Sequence, residues 1–217
     1  TYPLTGSGAN YTSDPYFGKK IAGGYYASGE GSYIQHIGDY YYLFMSYGGL
    51  TSDGGYEMEV FRSKNPDGPY VDPRGTSALF DRYLMNYGTN GSFRGEKILG
   101  SYENWGFMTT GKKTSFSTPG ELSQGHNSAI TDAQGRSFLI YHTRFNDGSE
   151  GHTVRVHQLF TTSNGWLAAA PFEFTGETVN DDSIATRQRF SAHELAGTYQ
   201  VLVHKQGVDY INRETVK

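Results

Sequence analysis

The chain has no cysteine among its 217 residues, which excludes disulfide bonds, thiolate metal sites and a cysteine nucleophile. It also lacks a dominant charge: 18 basic against 22 acidic residues give a formal net charge of −4, with no long block of one sign. A surface that tracks nucleic-acid phosphates is thereby excluded. No apolar run approaches the ~18 residues of a membrane span, and no leader of the basic-then-apolar kind opens the sequence. What is abundant instead is glycine, with 29 residues, and aromatic side chains, with 18 Tyr and 13 Phe. That mixture favours strands and tight turns over helices. The length suits one or two domains with a substantial core.

Apolar residues recur with period two in residues 33–47, which predicts two strands joined by a Gly38-Asp39 turn. Residues 56–63 alternate as well, with Met58 and Val60 on one face and Glu57 and Glu59 on the other. The turn Asn65-Pro66-Asp67-Gly68 then leads to a short fourth strand at 70–73. The same rhythm returns over 126–132, 137–145 and 153–160, ending in a turn at 162–166. Gly29, Ser32, Ile34 and Leu43 each recur 96 positions later, as Gly125, Ser128, Ile130 and Leu139. In that register Glu30 pairs with His126.

Repeated four-stranded units predict an all-β fold of β-propeller blades, at 29–74 and 125–170, whose first strands line a central channel. An ordinary β-sandwich with a chance repeat is the alternative. A propeller needs about four blades or more, so residues 1–175 read as the C-terminal portion of a larger propeller domain. Residues 75–124 form a long insertion with short strands at 96–101, and 176–217 read as the truncated start of an accessory β-domain.

Glu30 is bracketed by Gly29 and Gly31 just before a strand, with room for a ligand and with Tyr25, Tyr26 and Tyr33 near enough to stack on a sugar and desolvate the carboxyl. Its other reading is a solvated turn residue. His126 takes the same point of the second unit, where a neutral imidazole holds a metal or a water, or simply a structural hydrogen bond. His142 and His157 read as packing or surface groups. Residues 106–113 lack the Gly-Lys-Ser/Thr of a phosphate loop, and there is no HExxH, no GxSxG and no complete EF-hand loop.

The runs SGEGSYIQHIGDYYYLFMSYGG, YEMEVFRSKNPDGPYVDPRG and QGHNSAITDAQGRSFLIYHTRF resemble the arabinanase branch of the family 43 glycoside hydrolases, over roughly residues 20–175. The resemblance implies a five-bladed propeller that hydrolyses α-1,5-linked arabinan with inversion. It implies Glu30 as general acid, His126 as the histidine of a central Ca²⁺ site, and Tyr26, Tyr47, Asn127 and Ser128 as substrate contacts. It also implies a base aspartate and a second, pKa-tuning aspartate upstream of Glu30. Only Asp14 precedes Glu30 here, sixteen residues away and too close for either role, so both are expected upstream of this chain. The expected partners are arabinan or arabino-oligosaccharide and the N-terminal blades, and the expected location is secreted, periplasmic or cell-surface, in a bacterium. An exo-acting arabinofuranosidase or xylosidase of the same family, and a non-catalytic carbohydrate-binding propeller fragment, are the competing functional readings.

Overall fold

The computed structural model describes residues 18–24, 29–80, 94–102, 105–109, 112–177, 190–197, 199–201 and 214–216. The period-two segments become two antiparallel four-stranded sheets. The first is built in chain order from β1 (Glu30–Ile37), β2 (Tyr40–Tyr47), β3 (Glu57–Ser63) and β4 (Glu96–Leu99). The hairpin β5 (Trp105–Thr109) and β6 (Lys112–Thr118) follows. The second sheet has β7 (Glu121–Thr131), β8 (Ser137–Phe145), β9 (His152–Thr161) and β10 (Leu167–Ala169), again in chain order. A four-residue helix, α1 (Ala192–Leu195), begins at a capping box of Ser191 and Glu194, and β11 (Tyr199–Val201) pairs with β12 (Glu214–Val216).

Strand β2 carries the fold because both of its faces are buried. Tyr42 and Phe44 join Met58 and Val60 on one side and meet Ala129, Leu139, Tyr141, Leu159 and Leu167 of the second sheet. Leu43, Met45 and Tyr47 point the other way, into a cluster with Phe61, Tyr70 and Ala78. Each large apolar side chain removed from water this way contributes about 1.5–3 kcal/mol before entropy is counted. Three polar latches reinforce the contact between sheets at one end. Tyr42 donates to the Gly165 carbonyl at 2.6 Å, and Arg62 donates to the Asn164 carbonyl at 2.8 Å. The Arg62 guanidinium also lies 4.3 Å from the Tyr40 ring and 4.2 Å from the Trp166 ring.

Two details depart from the sequence expectation. The fourth strand of the first sheet is β4, from the middle of the chain, pairing Leu99 with Met58 and Lys97 with Glu59. Residues 70–73 contribute only a bridge from Val71 to Arg62, because the chain turns back at Asp72 and pairs Val71 with Ser77. The alternation of β3 places Glu57 and Glu59 on one face, and the fold buries both of them fully, a burial that alternation does not reveal. The Lys97 ammonium lies 2.5 Å from the Glu57 carboxylate, which offsets its desolvation.

Candidate active site

The site forms where β1 begins. Glu30 stands exposed at the head of that strand, opposite Ser46 of β2. The Tyr56 hydroxyl, at the entry to β3, donates to Glu30 Oε1 at 3.0 Å. Burial first, and then the Glu30 carboxylate, push the Tyr56 phenol up, so it remains a donor across the neutral range. Ser46 connects two parts of the site: its hydroxyl reaches Tyr56 and accepts the His126 backbone N–H at 2.8 Å.

His126 packs against Gly31, the residue that follows Glu30. A Cβ on Gly31, itself at φ +58°, would come 2.9 Å from both Cα and Cγ of His126. Only glycine allows the two strands to approach so closely. His126 adopts φ +52°, a left-handed conformation uncommon for a side chain larger than glycine, and its ring is exposed. Backbone strain of this kind concentrates at functional positions.

Further aromatic groups complete the surroundings. The His142 ring stacks on Tyr56 with centroids 5.9 Å apart, and lies 6.3 Å from His126 and 5.5 Å from His152. Burial first, then the charges of His152, His126 and Arg144, hold His142 below the ordinary imidazole range. Sequence reasoning assigned Tyr56 and His152 no role and read His142 as a packing or surface group. The available signal was the 96-residue register, which makes His142 the counterpart of Ser46.

The other expected site residues are placed differently. Tyr47 is 2% exposed in the core, its ring filling the space beside Gly29, so it offers no open face to a sugar. Asn127 is 4% exposed, and neither atom of its amide has a hydrogen-bond partner. Ser128 is half-buried, just past a register shift of β7 that sets it opposite Ile140. Tyr26, with Tyr25 and Asp14, lies outside the described residues. Among the described residues no group of three or more His, Asp or Glu is arranged to hold a metal ion. No described helix is long and apolar enough to cross a membrane.

Residues 10–96 match the family model for glycosyl hydrolases family 43. The chain is 39% identical to the extracellular endo-α-(1→5)-L-arabinanase 2 of Bacillus subtilis over 226 residues, 99% of this chain and 42% of that protein. It is 40% identical to the extracellular endo-α-(1→5)-L-arabinanase of Thermotoga petrophila over 205 residues, 93% of this chain and 39% of that protein. A crystal structure of endo-1,5-α-L-arabinanase from Thermotoga petrophila, in complex with Tris, superposes with a TM-score of 0.72 at 37% identity, covering 99% of this chain and 43% of that one. The chain therefore spans about two fifths of the length of the relatives it matches. Over that span it resembles the arabinanase branch of glycosyl hydrolases family 43.

Proposed function

We propose that this chain is the C-terminal portion of a five-bladed propeller glycosidase that hydrolyses α-1,5-L-arabinofuranosidic bonds in arabinan with inversion, with Glu30 as general acid. The observation that carries the reading is the exposed Glu30 carboxyl, held by Tyr56 one residue before the Gly31–His126 contact, in a chain similar along its whole length to extracellular endo-arabinanases. The Tyr56 hydroxyl engages Oε1, which leaves Oε2 to carry the proton. In the reaction that proton passes to the glycosidic oxygen as the bond to the anomeric carbon breaks, and water attacks that carbon from the opposite face. The water's proton goes to a carboxylate base about 6.5–9.5 Å from the acid, a separation that leaves room for the water. The base and the pKa-tuning aspartate belong, in this proposal, to blades upstream of the chain. Residues 176–217 begin a separate β-domain, and the protein acts outside the cell.

A Ca²⁺ ion at His126 is part of the same proposal. The exposed imidazole on a strained backbone fits as a single nitrogen ligand, and an oxygen-seeking ion would draw its remaining ligands from water. When bound, the ion adds positive charge beside Glu30. Chelation of the full-length protein is expected to lower arabinan turnover and the melting temperature together, and unchanged values of both would remove the ion from the proposal.

The test of the acid is Glu30→Gln in the full-length protein. Turnover of linear arabinan should fall by about 10²–10⁴. An aryl arabinofuranoside with a good leaving group should lose far less, since it needs little protonation. Equal losses on both substrates would instead make Glu30 a binding or folding residue.

A further inference from the structure

A cavity of about 580 Å³ lies between the two large sheets, and Glu30, Tyr56 and His126 do not line it. Its apolar wall includes Ile98, Leu99, Phe145 and Phe172. Of its polar groups, Glu121, Gln124, Tyr141 and His157 are more than nine-tenths buried, and Tyr102, Arg155 and Glu173 line it as well. Volume and lining fall within the range of small-molecule sites, about 300–1,000 Å³, mostly apolar with a few fixed polar groups.

The polar groups leave a specific demand. Glu121 Oε2 accepts from the Gln124 amide nitrogen at 3.1 Å and from the Tyr141 hydroxyl at 2.7 Å. Burial first, then the Glu121 charge, push the Tyr141 phenol up, so it remains the donor in that pair. With its nitrogen turned to Glu121, Gln124 has its oxygen buried and unpartnered. His157 Nδ1 lies 2.7 Å from the Ala170 carbonyl oxygen, which requires that Nδ1 carry a hydrogen. In the neutral ring Nε2 is then a bare acceptor, and it too is buried without a partner. Two unfilled acceptors therefore share one cavity, and buried acceptors without donors are costly. The charges at hand are already answered: Glu121 by the Gln124 amide and the Tyr141 and Tyr102 hydroxyls, and Arg155 by Glu173 at 3.3 Å. The complementary ligand is neutral, donates hydroxyl hydrogens to two acceptors and lays C–H surface on apolar walls.

We infer that this cavity is a second carbohydrate site, binding a pentose or short pentosyl chain through Gln124 Oε1 and His157 Nε2. The choice of pentosyl ligand rests on the proposed arabinan substrate, whereas the requirement for hydroxyl donors rests on the cavity alone.

The experiment uses the full-length protein carrying Glu30→Gln, labelled with [¹⁵N]histidine and titrated with arabinotriose. The His157 Nε2 resonance is expected to move saturably as the nitrogen gains a donor. Gln124→Leu should weaken that binding about tenfold, the cost of one good hydrogen bond. Phe172→Ala, at an exposed rim position that leaves the core intact, should weaken it severalfold. A resonance that stays fixed with sugar in large excess, as it would if the cavity held only solvent, overturns the site. So does a shift of equal affinity in both variants. Arabinan hydrolysis by the unsubstituted protein is measured separately. If it cleaves arabinan and His157 does not respond, only the second site is lost. If His157 responds in a protein that leaves arabinan intact, the second site stands and the catalytic reading fails.

Discussion

Gly125 controls the reach of the Tyr56 hydroxyl. A Cβ at this position would sit 2.1 Å from the ring carbon Cε1 of Tyr56 and 2.3 Å from Cδ1, an overlap that only movement of the ring relieves. Gly125→Ala is therefore expected to withdraw the hydroxyl from Glu30, and Tyr56→Phe to remove it while keeping the ring in place. Both should lower kcat/KM on arabinan by about tenfold or more, the scale of a hydrogen bond to a charged group. Thermal melts should separate them, with the midpoint falling for Gly125→Ala and nearly unchanged for Tyr56→Phe. Full turnover by Tyr56→Phe would show that the contact does not position the acid. Glu30 and His126 were legible in the sequence because a repeat marks equivalent positions regardless of contacts. Tyr56 was not, since a buried tyrosine at a strand entry has the same pattern as any core aromatic, and only its hydroxyl is engaged by the site.

At the scale of elements, the β2–β3 loop is fastened to the β8–β9 loop. Glu150 accepts from the Ser52 backbone N–H at 3.0 Å and from its hydroxyl at 2.6 Å. Arg144 donates to the Leu50 carbonyl at 2.7 Å and approaches Glu150 at 3.4 Å, while Ser123 donates to the Thr51 carbonyl. The loop so held leads directly into Tyr56. Glu150→Ala is expected to speed protease cleavage in residues 48–55 and to reduce arabinan turnover, with little change in the core. Hydrogen bonds from Ser52 hold the Glu150 carboxyl below its usual range. Its contribution is thus present above about pH 4.3, the ordinary glutamate value, and is lost as pH falls through the lower folded value. Limited proteolysis at pH 7 and pH 3.5 checks this, and equal cleavage of parent and variant at pH 7 would rule the clamp out. The pattern of strands in both sheets was readable from period two and turn residues. The source of β4 was not, because its register opposite β3 and the buried ion pair of Lys97 with Glu57 join segments across a long excursion that no periodicity connects.

For the whole molecule, the repeat shows what is left uncovered. Met58 and Val60 of the first sheet are buried beneath the second sheet. Their counterparts 96 positions on are Val154 and Val156, and Val154 is 62% exposed on a face it shares with Ile140. In a closed propeller that face meets another blade. Within these 217 cysteine-free residues, Val154→Cys introduces a unique thiol. Its maleimide labelling is expected to be fast in the chain alone and strongly slowed in the full-length protein, and equal rates would count against ring closure over this face. The arginine held between Tyr40 and Trp166 has an optical consequence. A guanidinium charge 4.2 Å over an indole shifts its emission through its field, and this indole sits in the β9–β10 turn while the guanidinium belongs to β3. With Trp105, the other of the two tryptophans, replaced by Phe, fluorescence from Trp166 is thus an intrinsic gauge of the distance between neighbouring sheets, able to time their separation during unfolding without any added dye.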